Sequence, residues 1–440
     1  MAITIILGGR EMYLDNRTFI TREEAINKLI QLWKPQSKTE SVPLREALNR
    51  VCAADMYSKN TLPVCRSSKL DGIAVRFSDF ENGMPDTSGW EKGTDYVTAD
   101  TGDDFDDNFD TVIAVESVRF DEDGGVTLKP GKPVTKGQNI KGCGENIREG
   151  ELLVKSGTRL NPIHLCLLAT GGIDEVEVEK RPIAAYIPTG DELIQLGEKP
   201  LRGQNIESNS LMIEGLLKEW GAEYISYPII KDNKSDIDGT LVDALNKADI
   251  VLINGGSSKG SEDYASKLLQ KKASFLQHGI RAIPGIPVSV SIVGGKPVIN
   301  LPGPSLAAFY AMDWCVQALV YHQLRLKMPV RQSVKVVLQA DINKPVQHDF
   351  YVRLKLVKAG EKYEANVLKF GDRFAELISD CNAIMVVPIG ITGYKKGQVV
   401  EAQLLYGESV IPVKDDKDDK EVNRLKRNKI KVVRGRIKTK

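Results

Sequence analysis

The sequence predicts a multidomain protein of mixed α/β and β type. A central doubly wound α/β domain is flanked by a β-rich domain, a small linking domain and a C-terminal β barrel or sandwich. Three observations lead there. Residues 181–329 alternate continuous apolar runs with amphipathic stretches of helical period, the pattern of a mostly parallel sheet covered on both faces. The segments on either side are rich in Gly, Asp and short alternating runs, which read as strands joined by turns. The length, 440 residues, allows about two to four domains at roughly 150 residues each.

Residues 1–17 read as an extension. Residues 18–56, rejoined by 137–180, form the linking domain. Its first helix is "TREEAINKLIQLW". Thr21 and Glu24 make a capping box, and Ile26, Leu29, Ile30 and Trp33 fall on one stripe. "PLREALNRVCAADM" reads as a second short helix. Residues 57–136 form the β-rich domain, with "TVIAVESVRF" and "GVTLK" as strands. "GQNIKGCGENIREGELLVKSGTRL" is a turn-rich return, and "NPIHLCLLATGGI" is a short helix ending at Gly171–Gly172.

The α/β domain spans 181–329. "IAAYIP" is apolar throughout, as suits a strand covered on both faces. "NSLMIEGLLKEWG" is a helix opened by Ser208 or Asn209 and closed by Gly221, with Ile213, Leu216, Leu217 and Trp220 on one face. "AEYISYPII" and "DIVLING" are strands, and "DIDGTLVDALNKA" and "SEDYASKLLQKK" are helices. Two Pro-Gly turns, "RAIPGIPVSV" and "NLPGPS", bracket "VSVSIVGGKPVIN". The long helix "SLAAFYAMDWCVQALVYHQL" closes the unit. Residues 330–413 carry four short alternating strands and form the C-terminal β domain; 414–440 are a charged basic tail.

Composition narrows the function. Hydrophobic residues make up 42% and charged residues 27%, as in ordinary globular chains, and no apolar run approaches the ~20 residues that span a bilayer. The six cysteines are scattered without a CxxC pair, and the four histidines do not cluster with them. That argues against a zinc site or a disulfide framework and fits a reducing cytoplasm. The tail carries twelve Lys/Arg against five Asp/Glu. It can reach an acidic partner, or it is simply a solvated terminus. It lacks interleaved aromatic residues for base stacking, so a nucleic-acid partner is not expected, and without a spanning apolar run neither is a membrane.

Open α/β sheets bind ligands beyond the carboxyl ends of their strands. Those ends carry Thr189-Gly190-Asp191-Glu192, then Asp232, then Gly255-Gly256-Ser257-Ser258-Lys259-Gly260 followed by Asp263. The Gly/Ser loop, leading into a helix, offers backbone N–H groups and hydroxyls suited to a phosphate. Each feature alone reads as a turn or a solvated carboxylate. Together, Glu192, Asp232 and Asp263 beside a phosphate cradle point to Mg²⁺ as a bridging cation.

"TGDEL", "ESN" ahead of a helix, Asp232 and "GGSSKGSEDY" resemble the molybdopterin-binding domain. That domain is shared by molybdopterin adenylyltransferases, molybdopterin molybdenumtransferases and the competence-damage-inducible family. The flanks separate these. "LPVCRSSKLDGIAVR", the return segment and "NAIMVVPIGITGYKKGQVVEAQLL" occur in order over about residues 18–412. They resemble the molybdopterin molybdenumtransferase family, which includes the C-terminal domain of gephyrin.

The resemblance implies molybdenum cofactor biosynthesis: an enzyme that inserts molybdate into adenylylated molybdopterin with Mg²⁺ and releases AMP. It implies an elongated homodimer whose sites lie between the α/β domain of one subunit and the Asp-Gly loop of the other, with the molybdopterin adenylyltransferase as a further partner. Matched residue by residue, the catalytic candidates are Asp71, Glu192, Asp232 and Asp263, the last three also as metal ligands. The pterin-nucleotide candidates are Thr101, Thr189, Gly190, Asp191, Ser208, Asn209, Gly255, Gly256, Ser257, Ser258, Lys259, Gly260, Pro302 and Gly303.

The chain departs from the family pattern at its turns. The family's Lys-Pro-Gly-Lys-Pro is Ile283-Pro-Gly-Ile286-Pro here. Its Leu-Pro-Gly-Asn-Pro is Leu301-Pro302-Gly303-Pro304-Ser305, its Gly-Glu-Asp is Gly144-Glu145-Asn146, and its Asp-Gly-Tyr is Asp71-Gly72-Ile73. Two lysines missing from an oxyanion site predict weak molybdate saturation with pterin binding intact, improved by restoring them. The other outcome is that the isoleucines pack in the turn. Two competing functions follow: a divergent paralogue that binds a pterin nucleotide without efficient molybdate insertion, and an interaction scaffold.

Overall fold

Six strands form the sheet of the central domain. Their order is Glu223–Ser226, Ile183–Pro188, Ile250–Asn254, Lys296–Leu301, Ser289–Val293, Phe275–His278. The first four run parallel and the last two join antiparallel. The computed structural model describes residues 3–7 and 10–14 as backbone, and 19–36, 38–121, 125–131, 133–255, 264–344, 347–369 and 371–413 in full. The tail 414–440 lies outside the described residues.

The apolar runs form strands because both faces are covered. Ile237, Leu241, Leu268 and Leu269, from the helices Lys234–Lys247 and Tyr264–Lys272, pack on Ala185, Ile187, Val251, Ile253 and Val298. Ala184, Tyr186, Leu252 and Ile299 alternate with these and are equally buried, on the opposite face. The helix Asn209–Trp220 buries Ile213, Leu217 and Trp220, and ends at Gly221 with φ of 92°, a left-handed cap that suits glycine. The long closing helix is interrupted. A π-turn at Met312–Val316 separates Ser305–Ala311 from Gln317–Gln323, and all five of its residues are buried.

The C-terminal β domain is a closed barrel. Asp349–Ala359 pairs with Lys362–Leu368 and with Ala383–Val387; the ring closes through Val399–Leu404 and Ser333–Leu338. Closure removes exposed edges, and Val336, Leu338, Val352, Leu354, Leu356 and Ala402 fill the interior. The short strand Ala282–Ile283, from the first Pro-Gly turn, adds in parallel to Asp349–Phe350.

Residues 1–36 with 181–440 form one compact unit and 37–180 another. The expected N-terminal extension contains an antiparallel hairpin, Ile3–Leu7 with Arg10–Leu14. The helix Arg22–Leu32 has the capping box: Thr21 Oγ1 accepts from Glu24 N at 3.1 Å, and Thr21 N donates to the Glu24 carboxylate at 2.7 Å.

In the second unit, Gly72–Val75 lies between Tyr96–Ala99 and Thr111–Ala114. The helix Pro162–Thr170 is capped by Asn161. The expected second helix is a single 3₁₀ turn, Leu44–Glu46. Asn49 turns left-handed at φ 62°, and Val51 and Cys52 bridge to Arg159 and Val178. Those pairings hold the chain extended where its local pattern allowed a helix. Among the described residues, no helix is long and apolar enough to cross a membrane.

Candidate functional site

Three parallel strands of the central sheet end together, and their last residues are tied by backbone bonds. Pro188 and Asn254 are register partners, and Thr189 N donates to Asn254 O at 2.9 Å. Gly190 N donates to Ile230 O at 3.1 Å, and Gly255 N to Leu301 O at 3.3 Å. Both glycines are required. Gly190 has φ of 151°, and a Cβ there would stand 2.6 Å from the Glu192 carboxylate. Gly255 has φ of 121°, and its Cβ would meet Thr189 O at 2.4 Å.

Asp191 and Asp232 come together: Asp232 N donates to Asp191 Oδ1 at 3.4 Å. Glu192 is exposed, and its carbonyl accepts from Asn205 N at 2.8 Å. Gly256, Ser257, Ser258, Lys259, Gly260 and Asp263 lie outside the described residues. Among the described residues, no group of three or more His, Cys, Asp or Glu side chains is arranged to hold a metal ion.

Beneath these strand ends lies a buried polar network that sequence reasoning missed. Tyr186 Oη lies 2.9 Å from both Glu207 Oε1 and Asn254 Oδ1. Asn209 Nδ2 donates to Asn254 Oδ1 at 2.7 Å and to Gly303 O at 2.9 Å. Asn254 Nδ2 donates to Pro302 O at 2.7 Å. Asn300, fully buried, donates to Gly255 O at 2.9 Å and Ile253 O at 3.1 Å when its amide nitrogen faces them. Glu207 also accepts from Ser210 N at 3.0 Å, at the start of the helix whose N-cap position Ser208 occupies without a side-chain bond. Burial first, and the Glu207 carboxylate second, push the Tyr186 hydroxyl's pKa well above its ordinary range, so the phenol stays neutral.

The network joins the "ESN" segment, the strand end at Asn254 and the Pro302–Gly303 turn. Asn209, Pro302 and Gly303 are therefore brought together, as the sequence suggested. Tyr186, Glu207, Asn254 and Asn300 were not singled out. The available signal was a polar residue closing each apolar run, Asn254 after "DIVLI" and Asn300 after "KPVI", since buried polar groups need partners.

In the second unit, Asp71 and Thr101 meet. Asp71 Oδ1 accepts from Thr101 N at 2.7 Å and from Thr101 Oγ1 at 2.9 Å. The backbone N–H first, then the hydroxyl, hold this exposed carboxyl below the usual carboxylate range. Gly72 follows because a Cβ there would lie 1.9 Å from Ile113 O. Ile73, in the family's tyrosine position, is fully buried in the β core. Glu145 pairs with Lys69 at 2.8 Å.

The first Pro-Gly turn corrects an expectation. Ile283 and Ile286 are 2% and 7% exposed, and they pack against Phe19 and Phe350. Their side chains face that apolar cluster. The turn is sewn to the barrel by Ala282–Ile283 pairing and by Asp349 N donating to Arg281 O at 2.9 Å. Isoleucines belong there because the turn is part of a core.

Two family models match the chain: MoeA N-terminal region (domain I and II) over residues 20–172, and Probable molybdopterin binding domain over 185–322. The chain is 30% identical over 314 residues to a molybdopterin molybdenumtransferase of Haemophilus influenzae, covering 68% of this chain and 77% of that one. It is 28% identical over 412 residues to one of Staphylococcus aureus, covering 89% and 96%. The crystal structure of the molybdopterin biosynthesis moeA protein from Pyrococcus horikoshii is similar with a TM-score of 0.69 at 27% identity, covering 88% of this chain and all of that one.

Proposed function

The chain belongs to the molybdopterin molybdenumtransferase family, enzymes of molybdenum cofactor biosynthesis, and from that premise we propose that it inserts molybdate into adenylylated molybdopterin with release of AMP. The observation that carries this is the strand-end edge of the molybdopterin-binding domain. Asp191 and Asp232 meet there, and the Glu192 carboxylate lies against Gly190. Asn209 with the Pro302–Gly303 turn forms the wall beside them.

Mg²⁺ takes carboxylate oxygens and phosphates, but among the described residues Asp191, Glu192 and Asp232 do not group into a site for it. In the other unit, the candidate Asp71 is held ionised by Thr101. The working unit is a homodimer, and the molybdopterin adenylyltransferase supplies the substrate. All six cysteines are free thiols, which fits a reducing cytoplasm.

A second reading has its own observation. The turn carrying Ile283 and Ile286 presents no ammonium groups, so the chain binds the pterin nucleotide but handles molybdate poorly. One experiment separates the two. Full-length protein receives adenylylated molybdopterin and Mg²⁺, with and without molybdate, and both AMP and metal-bound cofactor are followed. Molybdate-dependent AMP release with loaded cofactor supports insertion. Tight pterin-nucleotide binding without loaded cofactor selects the second reading, and absence of binding rejects both.

A further inference from the structure

We propose that Cys65 and Cys143 are a reversible oxidation site, a thiol pair that closes to a disulfide and fastens the loop leading to Asp71. The pair lies within the second unit, and the inference does not depend on the proposed function. Both are free thiols in this structure, Cys143 exposed and Cys65 half-buried.

Three observations bring the sulfurs within reach of one another. The strands Ser67–Ser68 and Ile140–Lys141 run antiparallel, with Ser68 opposite Ile140 and Ser67 opposite Lys141. The same count, continued two residues on, sets Cys65 opposite Cys143, and opposed residues hold their Cβ atoms about 4.5–5.5 Å apart. The two chains stay paired beyond that point: Gly144 N donates to Pro63 O at 2.9 Å, and Leu62 bridges to Ile147. Cys143 Sγ donates to Val64 O at 3.2 Å. Across a trans peptide that oxygen lies about 2.8 Å from the next Cα, so the Cys143 sulfur stands within about 6 Å of Cys65 Cα. Cys143 also acts electrostatically on the Cys65 thiol. A disulfide joins Cα atoms about 4.4–6.8 Å apart, so closure needs side-chain rotation and little backbone movement.

The oxidant is a small disulfide such as oxidised glutathione. Cys143, the more exposed sulfur, attacks it as the thiolate, forms a mixed disulfide and releases one small thiolate. Desolvation first, and then the Asp104 carboxylate, hold the Cys65 thiol above its ordinary pKa, so Cys65 is the resolving partner. Its proton passes to the released thiolate. Its sulfur then displaces the second small thiolate from Cys143. The protein gives up two electrons, and the oxidant is reduced to two thiols. The ladder this bond extends is two residue pairs long. Ser68 ties it to the Thr101 segment: Ser68 N donates to Asp103 O and Gly102 N to Ser68 O, both at 2.9 Å. Thr101 in turn holds Asp71. A bond at Cys65 therefore clamps the chain from which Asp71 projects.

Full-length protein is equilibrated in a mixed oxidised and reduced glutathione buffer, alkylated, and digested with trypsin without reductant. Most of the peptides 60–66 and 142–148 should be lost to one crosslinked species, two hydrogens lighter than their sum, and dithiothreitol should release them. Amide exchange over residues 67–71 should slow by roughly 10-fold or more on oxidation. In Cys143→Ser the crosslink should vanish, and oxidation should leave that exchange unchanged. The inference is overturned if Cys143 carries only glutathione, if both thiols stay free, or if either joins a different cysteine. A 65–143 crosslink that leaves exchange over 67–71 unaltered overturns it too. Both wild-type readings decide the matter even if Cys143→Ser fails to fold.

Discussion

The two Pro-Gly turns look alike in the sequence and are put to opposite uses. In the first, Ile283 and Ile286 are buried against Phe19 and Phe350, and the strand before the proline pairs with the barrel. In the second, Pro302 O and Gly303 O accept from Asn254 and Asn209, so the turn is held by side-chain amides at the carboxyl edge of the sheet. A rigid turn is a general device for fixing backbone. What surrounds it decides whether it plugs a core or walls a site. Apolar partners exclude water from the first turn, and buried amides set the register of the second.

The sharpest break of this contrast is Ile283→Lys with Ile286→Lys. If the first turn were a site wall, the change would improve molybdate use. Buried as it is, the pair should cost roughly 3–5 kcal/mol, because two ammonium groups would lose water without gaining partners. Thermal melting should show a clear drop, with no gain in molybdate saturation. An unchanged melting temperature would mean that these side chains face solvent.

Asn254→Ala tests the second turn. It strips partners from Pro302 O, Asn209 Nδ2 and Tyr186 Oη, at a cost of about 2–3 kcal/mol. Here the loss should reach the ligand: pterin-nucleotide affinity should fall along with stability. A variant that melts earlier but binds as wild type would place the turn outside the site.

The mildest change sharpens the comparison from the other side. Ile286→Val removes one methylene from the first turn's cluster and should cost about 1 kcal/mol. Pterin-nucleotide binding should not move, since only packing is touched. A binding defect larger than the melting shift would tie the first turn to the site after all.

The contrast also marks where reading the sequence succeeded. The strand-helix alternation over 181–329, the cap at Thr21 and the stop at Gly221 were legible because each follows from a local period or a local hydrogen bond. The parallel sheet and the glycines at its strand ends followed in turn; the meeting of Asp71 with Thr101 did not, since each was matched to the family separately. "PLREALNRVCAADM" misled because its helical spacing was overridden by pairing with segments more than a hundred residues away.

By itself, then, the sequence determined the order and type of the main elements and the family. Those depend on periodicity, chain direction and residue chemistry. Only the tertiary structure decided that the barrel closes, that two isoleucines near a suspected oxyanion site belong to a core, and that Asn254 and Gly303 O hold the Asn209 amide in place. Each of these depends on which distant side chain fills the space opposite. Burial and hydrogen-bond partnership are properties of pairs, and one-dimensional spacing does not contain the partner.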